Sequence, residues 1–312
     1  MAGNTNFIER RSCPVCGAAR GNVLFDARYD SERVAAYLAE WYGQVDLAPL
    51  AGIRYTVKKC NECGFVFQVV VPAGAFLEVL YDGWIGGEAR EELRDRYVAA
   101  DYRYLAFQVD WILRYFRKPP REIAVFDFGM GWSEFLEMAR AFGCDVAGME
   151  LSEKRVCYAQ SIGVQTISMD ELPEGAFDFI NTEQVFEHLA EPRQVLERLA
   201  RAVRKGGLIK ISVPDGRGVE RLLKRACGRP RWTRGELMPV APLEHINCFT
   251  HKTIARMASE AGLRLARPDV LSLMQSTTGW LTPGELANNI LRPIYRHVYP
   301  KSTFVYLERL AA

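Results

Sequence analysis

The chain has 312 residues, 49% hydrophobic and 25% charged, the composition of a folded globular protein rather than a disordered or fibrous one. Its formal net charge of +2 is too small to mark a general nucleic-acid or membrane binder, and no run approaches the ~18 uncharged apolar residues of a membrane span. The N-terminal "MAGNTNFIERRSCPVC" has no apolar segment after a basic start, so no secretory signal is expected and a cytoplasmic location is.

The first elements are set by cysteine. Cys13 and Cys16 stand in "CPVCG", Cys60 and Cys63 in "CNECG". The glycine after each pair permits a tight turn that brings sulfurs and backbone amides toward one point. Two such knuckles supply four thiolates, the ligand complement of a closed, structural zinc site with no position left for a reacting water. Disulfides or a redox pair are the alternatives. Between the knuckles the sequence predicts a strand "GNVLFDAR", a helix carrying Val34, Leu38, Trp41 and Tyr42 on one face, and a strand "IRYTVKKC". This reads as a zinc ribbon with an inserted helix, residues 1–75. Cys144, Cys157, Cys227 and Cys248 are scattered and expected as buried free thiols.

A helical connector follows, residues 76–120. Gly83, Gly86 and Gly87 punctuate it, and Leu105, Val109, Ile112 and Phe116 form an apolar stripe that ends before Pro119 and Pro120. From residue 121 to 312 strands and helices alternate. The strands are "IAVFDFG", "DVAGMEL", "VQTIS", "FDFINT", "LIKISVPD", "LRLARPDVLSL" and "TFVYLERL". Helices are expected over 132–142, 152–162, 192–203 and 250–261, the last with Thr250 as N-cap and Gly262 as stop. Such alternation implies an α/β fold, a Rossmann-like, doubly wound, largely parallel seven-stranded sheet whose ligands sit at the carboxyl ends of the strands.

One turn carries the chemistry. In "VFDFGMGWSEFL" an apolar strand breaks at Gly129 and Gly131 and a helix begins. A dinucleotide fingerprint needs a further glycine where Glu134 stands, and a carboxylate at that helix start disfavours a pyrophosphate. No G-K-[ST] follows, which excludes a Walker A loop. Glu150, ending the next strand in "GMEL", can accept hydrogen bonds from both hydroxyls of a ribose. Ribose recognition without a pyrophosphate cradle points to a mononucleoside-like cofactor.

These motifs, with "FDFINTEQVFEHLAEPRQVLERLARAVRKGGLIKISVPD" and "EHINCFTHKTIARMASEAGL", resemble the class I S-adenosylmethionine-dependent methyltransferases from about residue 121 onward. The resemblance implies that Gly129 and Gly131 lie against the methionine moiety and Glu150 against the ribose. Asp127 falls near the amino or carboxylate end, and Thr182, Glu183 and Gln184 beside the methyl donor. Adenine contacts fall on Met169 and Asp170. Ser133 replaces a glycine common in the first motif. The paired C-x-x-C ribbon ahead of such a domain is similar to that of bacterial sugar and natural-product methyltransferases, notably zinc-containing nucleotide-sugar C-methyltransferases. The expected cofactors are therefore S-adenosylmethionine and structural zinc.

Methyl transfer from a sulfonium requires alignment and, for a hydroxyl or C–H acceptor, proton removal. His245 in "PLEHINCF" is the candidate base, with Glu244 to orient or replace it and His188 in "FEHL" next; His251 and His297 are read as structural. Residues 216–244 read as a basic insertion over the acceptor, bearing Arg217, Arg221, Lys224, Arg225, Arg229, Arg231 and Arg234 around Trp232. Arginine forks pair with phosphate and an aromatic ring stacks on a base or sugar. Arg217, Arg229, Arg231 and Trp232 are thus candidate contacts to a phosphorylated small-molecule acceptor such as a nucleotide-linked sugar; a solvated basic helix is the plainer alternative. An RNA methyltransferase and a non-catalytic binding module are the competing functions, while membrane and nucleic-acid partners are not expected.

Overall fold

The computed structural model describes residues 6–43, 45–85, 96–229, 231–233, 235–266, 282–284, 287, 291, 294 and 304–310. Gly86, Gly87, Arg234, His297 and much of the sixth expected strand lie outside the described residues. The N-terminal elements are β1 (Phe7–Glu9), β2 (Gly21–Arg28), α1 (Glu32–Tyr42), β3 (Arg54–Cys60), β4 (Val66–Gln68) and β5 (Val70–Pro72). Then come α2 (Ala99–Phe116), β6 (Ala124–Phe128), α3 (Glu134–Ala141), β7 (Asp145–Met149), α4 (Glu153–Ser161), β8 (Gln165–Thr166) and β9 (Phe177–Glu183). The C-terminal elements are α5 (Pro192–Ala202), β10 (Val203–Ser212), α6 (Val219–Cys227), β11 (Asn247–Cys248), α7 (His251–Glu260), β12 (Leu263–Ala266) and β13 (Phe304–Arg309). By packing they form two compact units, one of residues 1–87, 184–194 and 213–257, the other of 88–183, 195–212 and 258–312.

In the first unit the expected ribbon hairpin forms, with β2 antiparallel to β3 and Gly21 opposite Cys60. The sheet continues through β4 to β11, order β11-β4-β3-β2. That outer strand, Asn247 and Cys248 paired with Phe67 and Val66, comes from far along the chain. Helix α1 buries Val34, Tyr37 and Leu38 in a core with Tyr29, Tyr55 and Phe76. Residues 216–244 belong to this unit. Helix α6 turns Val219, Leu223 and Ala226 inward, and Trp232 is 2% exposed, edge-on to Phe25 and Tyr37.

The second unit is built on a seven-stranded sheet, order β12-β13-β10-β9-β6-β7-β8. Strands β6 to β10 are parallel, and β13 runs antiparallel to both β10 and β12. Strand β6 is buried throughout, as expected of a parallel strand covered on both faces. The connector stripe is seen in α2, where Val109 and Ile112 are buried and Leu105 and Phe116 pack on the same core. Thr250 caps α7 reciprocally with Thr253, each accepting from the other's backbone N–H. Cys144 and Cys248 are buried as expected, but Cys157 and Cys227 are exposed, because α4 and α6 turn those positions to solvent.

The turn after β6 is held in left-handed conformation at Gly129, Gly131 and Ser133, the last at φ +68°. A non-glycine residue there costs about 1–2 kcal/mol, and the buried Ser133 hydroxyl has no hydrogen-bond partner among the described residues. Ser133→Gly is therefore expected to raise stability by about 1 kcal/mol. Chemical denaturation of the two proteins checks this, and a loss of stability would mean the hydroxyl has a partner in solution.

Candidate functional site

The two knuckles converge. Gly17 and Gly64 adopt φ +73° and +74° and donate to the carbonyls of Cys13 and Cys60. Cys13 Sγ lies 3.6 Å from Cys63 Sγ, and Cys16 Sγ lies 3.6 Å from Cys60 Sγ. All four sulfurs fall within 4.8 Å of one another. A zinc ion with ~2.3 Å bonds sets sulfurs ~3.8 Å apart at tetrahedral corners, so the cluster fits that ion. Without a cation, the Cys13 hydrogen bond and burial push the Cys63 thiol up; a divalent charge supplies what four adjacent thiolates need.

At the carboxyl end of the large sheet, the Glu150 carboxylate accepts from the amides of Gly131 (3.0 Å), Leu151 (2.9 Å) and Ser152 (3.1 Å). It thereby ties the glycine turn to the end of β7. A side chain added at Gly131 would meet nothing within 4 Å, whereas at Gly148 it would meet Met130 Sδ at 2.5 Å and Leu136 Cδ1 at 2.8 Å. The turn is packed tightly behind and open in front. Asp127, 4% exposed, accepts from Asn181 Nδ2 at 2.8 Å, and burial pushes its carboxyl up to about 7 against the pull of Asn181 and Lys210. Asn181 Oδ1 is buried without a hydrogen-bond partner among the described residues, a cost of about 1–3 kcal/mol that a donor on a ligand would remove. An open cradle, a carboxylate at the end of β7 and a buried acceptor beside Asp127 fit the amino group and ribose hydroxyls of S-adenosylmethionine.

Other expected cofactor contacts are partly committed elsewhere. Thr182 is buried and its hydroxyl donates to the Lys210 carbonyl. Glu183 accepts from the buried Lys210 ammonium and from Ser212 Oγ. Lys210 also donates to Gln108. The Thr182 hydroxyl is thus turned into the sheet, and the Glu183 charge is neutralised in place. Gln184 holds φ +54°. Met169 is half-buried and Asp170 exposed.

In the first unit, His188, Glu244 and His245 come together. His188 Nδ1 faces the Glu244 backbone carbonyl at 2.9 Å, and His245 Nδ1 faces the Met238 carbonyl. The two rings are 5.1 Å apart, inclined at 67°. The Glu244 carboxylate accepts from Trp41 Nε1 at 2.6 Å, its backbone carbonyl faces His188, and its charge acts on His245. Burial lowers both imidazoles, His188 to about 3 with the nearby His245 adding to the effect. Both are neutral at pH 7, and His188 is a weak proton acceptor. Glu187, 1% exposed, joins them; the sequence reading passed over it although it sits beside His188 in "FEHL".

The acceptor contacts need a larger correction. Trp232 is a core residue whose Nε1 donates to the Ala226 carbonyl at 2.9 Å, so it has no face to stack on a ligand. Removing a tryptophan so placed costs about 3–5 kcal/mol of stability. Arg217 pairs with Asp215 and Arg229 with Glu236. Arg231 is exposed. Asn181 and Lys210 were missed, and the sequence did carry a signal for Lys210, a lone cation inside the apolar run "LIKISV".

The family model of a methyltransferase domain matches residues 94–267, more than half of the chain. The ubiquinone biosynthesis O-methyltransferase of Dechloromonas aromatica (strain RCB) is 30% identical over 202 residues, 61% of this chain and 85% of that protein. Its counterpart of the same name in Thiobacillus denitrificans (strain ATCC 25259 / T1) is 27% identical over 158 residues, 47% of this chain and 67% of that one. Among solved structures, an S-adenosylmethionine-dependent methyltransferase from Mesorhizobium loti aligns with 63% of this chain and 95% of its own, at 16% identity and a TM-score of 0.41.

Proposed function

This chain belongs to the methyltransferase domain family, and from that premise we propose that it methylates a hydroxyl oxygen of a small organic acceptor. The observation that carries the reading is the turn in which Glu150 holds the Gly131 amide beneath open space, beside Asp127 and Asn181. Oxygen as the acceptor atom is supported by the names of the curated relatives, one of them 30% identical over 85% of its length. A sugar, a nucleotide-linked sugar or a natural-product intermediate is the acceptor class proposed. Arg231 is carried forward as its candidate phosphate contact.

S-adenosylmethionine, when bound, supplies a methyl group already activated as a sulfonium. Glu150 then accepts from the ribose, the Gly129–Gly131 turn admits the methionine moiety, and Met169 and Asp170 flank the adenine. Asp127 and the Asn181 oxygen accept from the ammonium, and the chain from Thr182 to Gln184 borders the methyl group. Because transfer to oxygen needs alignment more than covalent help, most of the binding energy is expected to go into holding these groups in place.

Asp127 gives this reading a pH signature. Burial holds its carboxyl at about 7, so it is ionised above that pH and protonated below. Its raised pKa makes its contribution to fold stability greatest below the unfolded value and smaller as pH rises toward 7. Cofactor affinity runs the opposite way, because only the carboxylate pairs with an ammonium. Binding of S-adenosylmethionine is expected to weaken by about tenfold per pH unit below 7. Calorimetry between acid and neutral pH measures this, and Asp127→Asn should flatten the slope. An equal slope in that variant would remove Asp127 from the cofactor site. The function itself is tested with methyl-labelled S-adenosylmethionine and panels of phenolic, sugar and nucleotide-sugar acceptors. Label found only on nitrogen, carbon or RNA would overturn the assignment.

A further inference from the structure

We propose that Glu187, His188 and His245 form a second metal centre, separate from the four cysteines, that holds a first-row divalent cation. One ligand atom from each of the three residues lies within 4.8 Å of the others. Glu187 Oε1 and His188 Nε2 are 3.9 Å apart, too long for a hydrogen bond and close to the spacing of two ligands around one ion. Bonds of about 2.1 Å put neighbouring ligand atoms about 3.0–3.4 Å apart, so contraction by about 1 Å, within the reach of side-chain rotation, closes the site.

The surroundings are those of a ligand set. Each imidazole directs Nδ1 at a backbone carbonyl, His188 at Glu244 and His245 at Met238. That places the ring proton on Nδ1 and presents Nε2 as the coordinating nitrogen, the arrangement by which outer hydrogen bonds orient metal-binding histidines. The two loops are fixed from behind by buried polar side chains. Gln68 Nε2 donates to the carbonyls of Ala241 (2.9 Å) and His245 (3.1 Å). Asn247 Nδ2 donates to those of Phe186 (2.9 Å) and Leu189 (2.6 Å). Strain is stored on both sides, with Leu243 at φ +73° and Gln184 at φ +54°. A non-glycine residue keeps such a backbone only where its surroundings over-determine it.

The donor set selects the ion. Two imidazoles and one carboxylate suit zinc, iron(II), manganese or cobalt rather than calcium or magnesium, and three protein ligands leave positions open. A cation here would lower the pKa of a water or hydroxyl bound at its open positions. The imidazoles would then act as ligands rather than as proton acceptors.

The full chain, loaded with zinc and freed of loose metal by gel filtration, is expected to retain two equivalents by elemental analysis. His188→Ala and His245→Ala are each expected to retain one, and Glu187→Gln to bind the second about a hundredfold more weakly. The equivalent held by the cysteines reports that each variant is folded. Should a variant unfold, cobalt titration of the unmodified chain decides. The second equivalent should add weak ligand-field absorption and no sulfur-to-cobalt charge-transfer band. One equivalent in the unmodified chain, two in both histidine variants, or a thiolate band on the second equivalent would overturn the proposal. Methyl transfer measured in the same samples separates the two readings: two equivalents without O-methylation would refute the proposed function and leave the metal centre standing.

Discussion

Stripping the metal from the four-cysteine centre, or replacing Cys60 by serine, is expected to lower the unfolding temperature of the cysteine-bearing unit by about 10–20 °C. The two knuckles meet at the open end of the β2–β3 hairpin, one before β2 and one at the end of β3, since Gly21 pairs with Cys60 and the Cys13 N–H donates to the Ala18 carbonyl just before β2. Without the ion, the buried Cys13, Cys60 and Cys63 are left as thiols, and the loop before β2 is tied to the loop after β3 by little more than the hydrogen bond from the Asn61 N–H to the Arg20 carbonyl at 3.2 Å. Structural zinc contributes about 10–16 kcal/mol where it is the main source of folding. This unit also has an apolar core around Tyr29, Val34, Leu38 and Tyr55 that does not touch the metal, so about a third of that figure, roughly 5 kcal/mol, is the expected loss. At about 2–4 °C per kcal/mol for a unit of this size, the stated shift follows. Differential scanning calorimetry with and without a strong chelator measures it. A shift below about 2 °C would show that the sulfurs hold no ion that the fold depends on.

The strands of the large sheet were legible because parallel strands covered on both sides need continuous apolar runs, and "IAVFDFG" and "FDFINT" have them. The hairpin was legible for a different reason: the knuckle spacing fixes its two ends. What sequence did not disclose was tertiary pairing. Strand β11 has two residues, and nothing in "INCF" announces that Asn247 will meet Phe67. Consequently residues 216–244 read as an exposed basic insertion, when one face of α6 and Trp232 in fact complete a core. Among the described residues Arg217, Arg221, Lys224, Arg225, Arg229 and Arg231 are exposed. The error lay in grouping Trp232 with them, because a single aromatic in a polar stretch carries no periodicity to show which way it turns. Glu187 was missed on similar grounds. Two histidines, each visible alone, become a constellation only when the loop around His245 folds against the turn at Phe186–His188.

Glu150→Ala is expected to weaken binding of both S-adenosylmethionine and S-adenosylhomocysteine by about tenfold to hundredfold. The carboxylate has about four acceptor positions. Three are used by the amides of Gly131, Leu151 and Ser152, which leaves one for a ribose hydroxyl. A hydrogen bond to a charged group contributes about 1.5–3 kcal/mol, which accounts for the fold-change. The same substitution strips the acceptor from the Gly131 amide and loosens the turn, at a stability cost of about 1–3 kcal/mol. Loss of affinity alone would therefore not separate ribose recognition from collapse of the turn. Glu150→Gln helps to do so, because its one carbonyl oxygen can still accept from the Gly131 amide while the charge is gone, although its NH2 group then faces the Leu151 and Ser152 amides. If Glu150 recognises the ribose, the glutamine variant should lose less stability than the alanine variant and still bind both ligands about as weakly. Were Glu150 only a brace for the turn, stability and affinity would fall together in the alanine variant and recover together in the glutamine variant. Calorimetric titration of the three proteins beside their melting curves distinguishes the two patterns, and the second would reassign the ribose to another group at the mouth of the sheet.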